Sequence, residues 1–358
     1  MTILIFTPKE NQKTLKMAVR AAKLHEYLKK NNIQTMKVYN FDYRKLSFLM
    51  LFNYVKIFYF LFTKNKADTV LFENERSEKL LKFFKFFKCR LAIDIRDNRA
   101  LQHSAYQIDD KYEVLDSIRN TLYKNIEYCD FVFVVTEGCK DLYPKKYHNK
   151  IYIIENSSDP DHFKMHKYYH NFRIGFLSGI APGRGIEMLI DASLIVKEKF
   201  PQLQLTIGGK YNKEHTQSID HYENLVNKYS NDWLIFHDDI AYSTNAPEFI
   251  SNCSITVIPH PDHEHYHTTL AVKQFDYMAC GRPIVATNCV ETANVINQYK
   301  CGLVCDFTAE DMAQKIIYLL ENPEISEEMG KNGRKAIEDY YNWNRMAQKM
   351  ITYLSQEK

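Results

Sequence analysis

Short apolar runs alternate with helix-period stretches along almost the whole chain, and no other feature constrains its fold as strongly. Residues 3–6, 69–72, 90–95, 131–135 and 151–154 read as buried strands, and 16–31 reads as an amphipathic helix carrying Ala18, Ala21, Ala22, Leu24 and Leu28. After Asn156 the sequence turns polar and loop-like as far as His170. The alternation then restarts: strand 173–177, helix 186–199, strand 203–207, helix near 216–229, strand 233–236, then strands near 254–258, 284–286 and 302–305. Strands spaced by helices predict parallel, doubly wound sheets, and the restart predicts two of them, with a boundary near 160–170. A last helical stretch, 342–354, begins beyond the second sheet.

The 358 residues are enough for two domains with separate cores. A net charge of only +3 gives no bulk electrostatic case for nucleic acid. The eight cysteines form no Cys-x-x-Cys motif, and the closest pair is Cys301 and Cys305. Reduced thiols are expected, not a disulfide framework or a zinc site. The first residues read as a strand and not as a signal peptide. Residues 46–62 are almost wholly apolar but fall short of the ~20 that a membrane span needs. Downstream, Phe83, Phe84, Phe86 and Phe87 interleave with Lys82, Lys85 and Lys88, a combination suited to an anionic membrane surface. A buried helix followed by a solvated amphipathic one is the alternative.

From His267 to Thr287 the chain reads as a helix marked at both ends and followed at once by a buried strand. Thr268 or Thr269 is expected as the N-cap. Gly281 suits the left-handed position past the helix, and Pro283 prevents continuation. Thr269, Lys273 and Asp276 share a face. A helix N-terminus after a strand and loop favours an anion such as a diphosphate, and a carboxylate further along can accept from two ribose hydroxyls.

This segment, above all 277–286, resembles the donor-site signature of the retaining glycosyltransferases of the GT-B fold, family 4 (group 1). There a Glu, seven residues and a second Glu precede a small-residue run ending Ala-Cys-Gly-x-Pro-Val-Val-Ala. Asp276 stands at the second Glu, which implies a ribose contact. Thr268 stands where the first would fall, so the chain departs there; similar branches also lack it and carry a Lys where Lys273 stands. Asn156-Ser157-Ser158-Asp159 with Phe163 is similar to the family's Asn-Gly-Val-Asp and Phe. Gly183-Arg184-Gly185 before a helix containing Ala192 resembles its Lys-Gly loop, and Pro259 its Pro-Ser. The resemblance covers the second half closely and the first loosely. It implies an α/β fold of two Rossmann-like doubly wound parallel-sheet domains facing across a cleft. Residues 1–164 would bind the acceptor, 165–340 the nucleotide sugar, and 341–358 would cross back to the first domain.

The resemblance also assigns candidate residues. Arg184, flanked by glycines, is suited to bind the donor diphosphate bidentately and to stabilise the leaving nucleotide. The family supplies two basic residues from this loop. The second would fall at 178–180, where Gly179 borders the donor and no cation stands. Lys210, after Gly208-Gly209 at a strand end, is the candidate substitute. Thr268, Thr269, Leu270, Lys273 and Asp276 complete the donor set. In the first domain 95–97 resembles an Ile-Arg-Asp segment of one branch. Asp97 would orient the acceptor hydroxyl and Arg96 would hold an anionic group, with His103 a few residues on. The alternative for this segment is a structural ion pair closing the strand end. If 260–267 were extended, His263, His265 and His267 would share one side. A polar loop over the donor sugar is expected there, with no metal and no cofactor beyond the donor.

These readings describe a cytoplasmic enzyme, peripheral on the inner face of the membrane. It would move a sugar, with retention, from a nucleotide-diphosphate sugar to a glycan or lipid-linked saccharide in bacterial surface polysaccharide assembly. The leaving phosphate would aid the attacking hydroxyl, so no enzyme nucleophile is required. A sugar-nucleotide epimerase of the same architecture and a non-catalytic binding homologue remain open.

Overall fold

The computed structural model describes residues 1–7, 15–39, 55, 57–59, 61, 69–73, 78–96, 98–105, 112–209, 211, 216–229, 231–238, 240–242 and 244–356. The chain divides into two compact units, one of Met1–Ala100, Asp110–Glu155 and Trp343–Lys358, the other of Leu101–Asp109 and Asn156–Asn342.

The first unit holds strands β1 (Thr2–Thr7), β2 (Gln34–Tyr39), β3 (Thr69–Glu73), β4 (Arg90–Asp94), β5 (Phe131–Val134) and β6 (Ile151–Ile153). All pair in parallel, in the order β2-β1-β3-β4-β5-β6. The helices of this part of the chain are α1 (Leu15–Lys30), α2 (Glu78–Phe86), α3 (Arg99–Ala105), α4 (Tyr112–Tyr128) and α5 (Glu137–Asp141). β3 and β5 are buried along their whole length, which explains their apolar runs at 70–72 and 131–134. Edge strand β2 mixes Gln34, Thr35 and Lys37 with Met36 and Val38, and no apolar run announces it. Phe6, Phe72 and Phe84 meet at centroid distances of 5.0–6.0 Å in the core. Most of 46–62 lies outside the described residues; within it Ile57 and Leu61 are buried, whereas Val55, Phe58 and Tyr59 are exposed. No described helix is long and apolar enough to cross a membrane.

The second unit holds β7 (Arg173–Leu177), α6 (Ile186–Lys199), β8 (Gln204–Gly208), α7 (Thr216–Tyr229), β9 (Leu234–His237), α8 (Ala246–Ser251), β10 (Ile255–Ile258), α9 (Glu264–Thr268), α10 (Val272–Ala279), β11 (Ile284–Thr287), α11 (Val290–Tyr299), β12 (Gly302–Cys305), α12 (Ala309–Glu321) and α13 (Pro323–Asp339). Its sheet is again parallel, in the order β12-β11-β10-β7-β8-β9. The chain starts at β7, moves outward through β8 to β9, then returns to lay β10 against the other side of β7. The strand order therefore reverses between β7 and β10. Crossovers leave those two strands in opposite directions, which opens a crevice beyond their C-terminal ends.

Residues 156–164, grouped by sequence with the first domain, pack in the second unit. Asn156 Nδ2 donates to the Leu270 carbonyl (2.8 Å), and Phe163 is fully buried in the core around α10. The C-terminal helix α14 (Trp343–Leu354) belongs to the first unit, where it lies against α1. A buried network pins this corner. Arg20 on α1 makes two bonds of 2.9 Å to Asp94 and donates to the carbonyls of Ile154 and Glu155, while Lys349 on α14 reaches the Glu155 carboxylate at 2.8 Å.

Candidate functional site

The crevice is built from the loops that follow β7 and β10. β7 ends at Leu177, whose N–H donates to the buried Tyr277 hydroxyl (2.8 Å), and Ser178 continues the sheet by donating to the Gly208 carbonyl (2.9 Å). β10 ends at Ile258 and runs on into Pro259 and His260. The loop entering α6 turns through Gly183 (φ 70°) and Gly185 (φ 74°), the left-handed region that glycine adopts without strain. A Cβ on Gly185 would collide with the Pro259 carbonyl, so the Arg184 loop abuts the end of β10. Tyr266 ties the two together, its hydroxyl donating to the Gly183 carbonyl at 2.7 Å.

Lys273 enters this crevice from α10. Its Nζ lies 3.1 Å from Ser178 Oγ, 3.2 Å from His260 Nε2 and 4.4 Å from the centre of the Phe176 ring. The His260 ring stacks on Tyr266 at 4.1 Å, and the Thr287 hydroxyl donates to the His260 carbonyl (2.6 Å). A continuous set of contacts thus runs from Gly183 through Tyr266, His260 and Lys273 to Ser178. The charge of half-buried Arg184 is felt at His265. Burial, with the positive charge of Arg184 next in importance, pushes that imidazole down to about 3, so it is neutral.

The helix start differs from the sequence reading. Thr268 closes α9, its hydroxyl donating to the Glu264 carbonyl (2.9 Å), and Thr269 donates to the His265 carbonyl (2.8 Å). Neither caps α10, which begins at Val272 after Ala271 with no side-chain cap. The anion-attracting N-terminus therefore lies at Val272, not at Thr269-Leu270, and Leu270 is a buried apolar residue before it. The C-terminal marks hold: Gly281 takes φ 67°, and β11 follows directly.

Asp276 is 2% exposed, and its Oδ1 accepts from Ser158 Oγ at 2.8 Å and from Tyr242 Oη at 3.1 Å. Burial, reinforced by the Asp276 charge, raises the Tyr242 phenol well above its ordinary range, so it remains a donor. Two protein hydroxyls thus share one oxygen of this carboxylate.

The histidine-rich segment is helical, not extended. His263 precedes α9 and accepts from the His265 N–H through Nδ1 (3.1 Å), and His267 pairs with Asp262 at 2.7 Å. Among the described residues no group of three or more His, Cys, Asp or Glu is placed to hold a metal ion. All eight cysteines are buried and unbridged, and desolvation pushes the thiols of Cys129 and Cys280 up to about 12.

In the first unit, Arg96 is half of a buried ion pair, its Nη2 2.9 Å from Glu73 Oε2 at the ends of β3 and β4. Asp97 and Lys210 lie outside the described residues, as does the side chain of His103. Gly179 follows Ser178 at the mouth of the crevice, partly exposed.

Residues 157–336, covering this whole crevice, match the family of glycosyl transferases group 1. The chain belongs to that family. This group 1 glycosyltransferase is 25% identical over 213 residues to the capsular polysaccharide biosynthesis glycosyltransferase CapM of Staphylococcus aureus, covering 55% of its own length and 52% of that protein. It is 23% identical over 154 residues to the alpha-1,3/1,6-mannosyltransferase ALG2 of Dictyostelium discoideum, covering 42% and 36%. The transferase thus matches about half, or less, of each of these relatives' lengths. Sucrose-phosphate synthase from Thermosynechococcus elongatus shares its fold with a TM-score of 0.75, 16% identity and 98% coverage of both chains. HepE of Anabaena, in complex with UDP, does so with a TM-score of 0.70, 14% identity and 99% and 100% coverage. The fold is that of the GT-B glycosyltransferases.

Sequence reasoning missed His260, Ser178, Tyr242 and Tyr266. For Ser178 a signal existed, since it lies where a second cation was sought. His260 follows Pro259, the family's strand-end proline, but nothing in the sequence linked it to Lys273.

Proposed function

We propose that this glycosyltransferase moves a sugar, with retention of anomeric configuration, from a nucleotide-diphosphate sugar to a glycan or lipid-linked saccharide of a bacterial surface polysaccharide. The observation carrying this reading is the Lys273 ammonium at the crossover between β7 and β10, joined by contacts to the Arg184 loop. Two cations beyond these strand ends suit a diphosphate, and they stabilise it most as negative charge builds on the leaving group. Asp276, the acceptor for Ser158 and Tyr242, would take the ribose. Retention and substrate-assisted attack follow the family resemblance, and metal is unnecessary where protein cations do this work. The second unit would bind the donor and the first the acceptor, with Asp97 and His103 near the acceptor hydroxyl. HepE in complex with UDP-glucose makes uridine diphosphate sugars the first donors to try, and CapM points to capsule assembly.

On the first unit, Phe83 and Phe86 are exposed (43% and 82%) beside Lys82 and Lys85, while Phe84 points into the core. An anionic membrane surface suits that outer face, although Lys85 also bonds Asp130 at 2.7 Å.

The test is a panel of UDP-, GDP- and ADP-sugars scored by thermal shift, then transfer of the stabilising donor to lipid-extract acceptors with chelator present. An α-linked product from an α-linked donor supports the reading. Turnover of donor without acceptor would assign an epimerase, and donor binding without any turnover a binding homologue. Inverted product, or dependence on added metal, would overturn the mechanism.

A further inference from the structure

The loop between β7 and α6 carries one cation, Arg184, and Ser178, Gly179 and Ile180 supply no second. Lys273 comes from another element to the same place, its Nζ 3.1 Å from Ser178 Oγ. A lysine stem is flexible, and a charge useful to a phosphate must be held before the ligand arrives. Here the stem crosses the Phe176 face, and the ammonium is anchored by Ser178 and by His260 Nε2 at 3.2 Å.

We infer that His260 is a positioning residue, which holds the Lys273 ammonium at the crevice between β7 and β10 as the second positive charge for a nucleoside diphosphate. The inference rests on the donor reading above. An ammonium has only protons to give, so His260 Nε2 accepts, its remaining proton sits on Nδ1 and the ring is neutral. The residue is held at its ring and at its backbone. Its face lies on Tyr266 at 4.1 Å, and its backbone carbonyl accepts from Thr287 at 2.6 Å. Tyr266 also bonds the Gly183 carbonyl beside Arg184 at 2.7 Å. One stacked pair therefore links the anchor of Lys273 to the backbone beside Arg184. In this proposal His260 acts through Lys273.

The experiment is calorimetric titration of the full chain with UDP and UMP (or the diphosphate and monophosphate of whichever base the panel selects). Lys273→Met keeps the stem over Phe176 and removes the charge. It should weaken UDP binding about tenfold or more, UMP binding much less. His260→Ala should weaken UDP binding several-fold, and His260→Gln, whose amide oxygen still accepts, should restore most of it. In the Lys273→Met background His260→Ala should add nothing, because its action runs through Lys273. Thermal midpoints of all variants establish that they are folded. The inference is overturned if His260→Ala weakens UDP and UMP binding equally, or adds its full effect in the Lys273→Met background. It is also overturned if Lys273→Met leaves UDP binding within twofold while Arg184→Ala abolishes it, an outcome that spares the donor reading. If neither Lys273→Met nor Arg184→Ala changes UDP binding, the donor reading itself fails.

Discussion

Asp276 does two jobs in the proposed scheme, and its substitution is expected to separate them. In the structure its Oδ1 accepts from Ser158 at 2.8 Å and Tyr242 at 3.1 Å, with the carboxylate 2% exposed. Hydrogen bonds to a buried charge contribute about 1.5–3 kcal/mol each, and neutral ones about 1 kcal/mol. Asp276→Asn keeps an acceptor oxygen but loses the charge, so it should cost about 1–2 kcal/mol after the relief of burying no carboxylate. Asp276→Ala removes the acceptor and leaves two hydroxyls without it, which should cost about 3–5 kcal/mol. Urea unfolding measures both. Trp233 lies in the second unit and Trp343 in the first, so Trp233 emission in a Trp343→Phe background reports the unit containing Asp276. The ribose role has its own readout: wild type should bind UDP more tightly than 2′-deoxy-UDP, and Asp276→Asn should lose most of that preference. If Asp276→Ala stays within 1 kcal/mol of wild type, the network is not a structural support. If the 2′-hydroxyl preference survives in Asp276→Asn, the carboxylate does not hold the ribose.

His265 makes stability depend on pH. Its imidazole is held down to about 3 in the folded chain by burial and then by Arg184, against about 6.5 when unfolded. Between those values the unfolded chain binds the extra proton, so its contribution is intact above about 6.5 and is lost as pH falls toward 3, by about 2 kcal/mol at pH 5. Urea midpoints at pH 7.5 and pH 5 should therefore converge in His265→Gln, and an unchanged gap would contradict this. Gly185→Ala should destabilise by more than 2 kcal/mol, since left-handed strain of about 1–2 kcal/mol adds to a collision with the Pro259 carbonyl. Gly281→Ala should cost less, because its neighbour is the flexible side chain of Met165; equal costs in thermal unfolding would refute the distinction. In the first unit Arg20→Met takes the guanidinium from buried Asp94 and should cost about 3–5 kcal/mol, with Asp94→Asn recovering part of it in the double variant.

The sheets were legible because strands such as β3 and β5, buried on both faces, carry apolar runs at 70–72 and 131–134. β2 escaped because an edge strand is half polar and carries no run. The start of α10 was misplaced for a similar reason. Two hydroxyls before an apolar helix look like an N-cap, but the same hydroxyls serve as well bonded back to carbonyls at the end of a preceding turn, as Thr268 and Thr269 are. The five residues of α9 are too few for a period of 3.6 to be told from a period of 2, so the histidines seemed to alternate.

The candidate site can be sought in the sequence as a chemistry but not as a set of positions. A diphosphate needs two positive charges within reach of its oxygens, whichever segment brings them. A motif searched along the chain asks for the second cation within a few residues of Arg184 and finds Ser178 and Gly179 instead. The parallel sheet removes that restriction: every loop that follows a strand emerges on the same side, and the reversal between β7 and β10 brings α10 against the end of β7. Lys273 and Ser178 are 95 residues apart and 3.1 Å from contact to contact. The same geometry explains why Lys273 cannot be judged alone. Reaching from α10, it is met by His260, two residues past the end of β10.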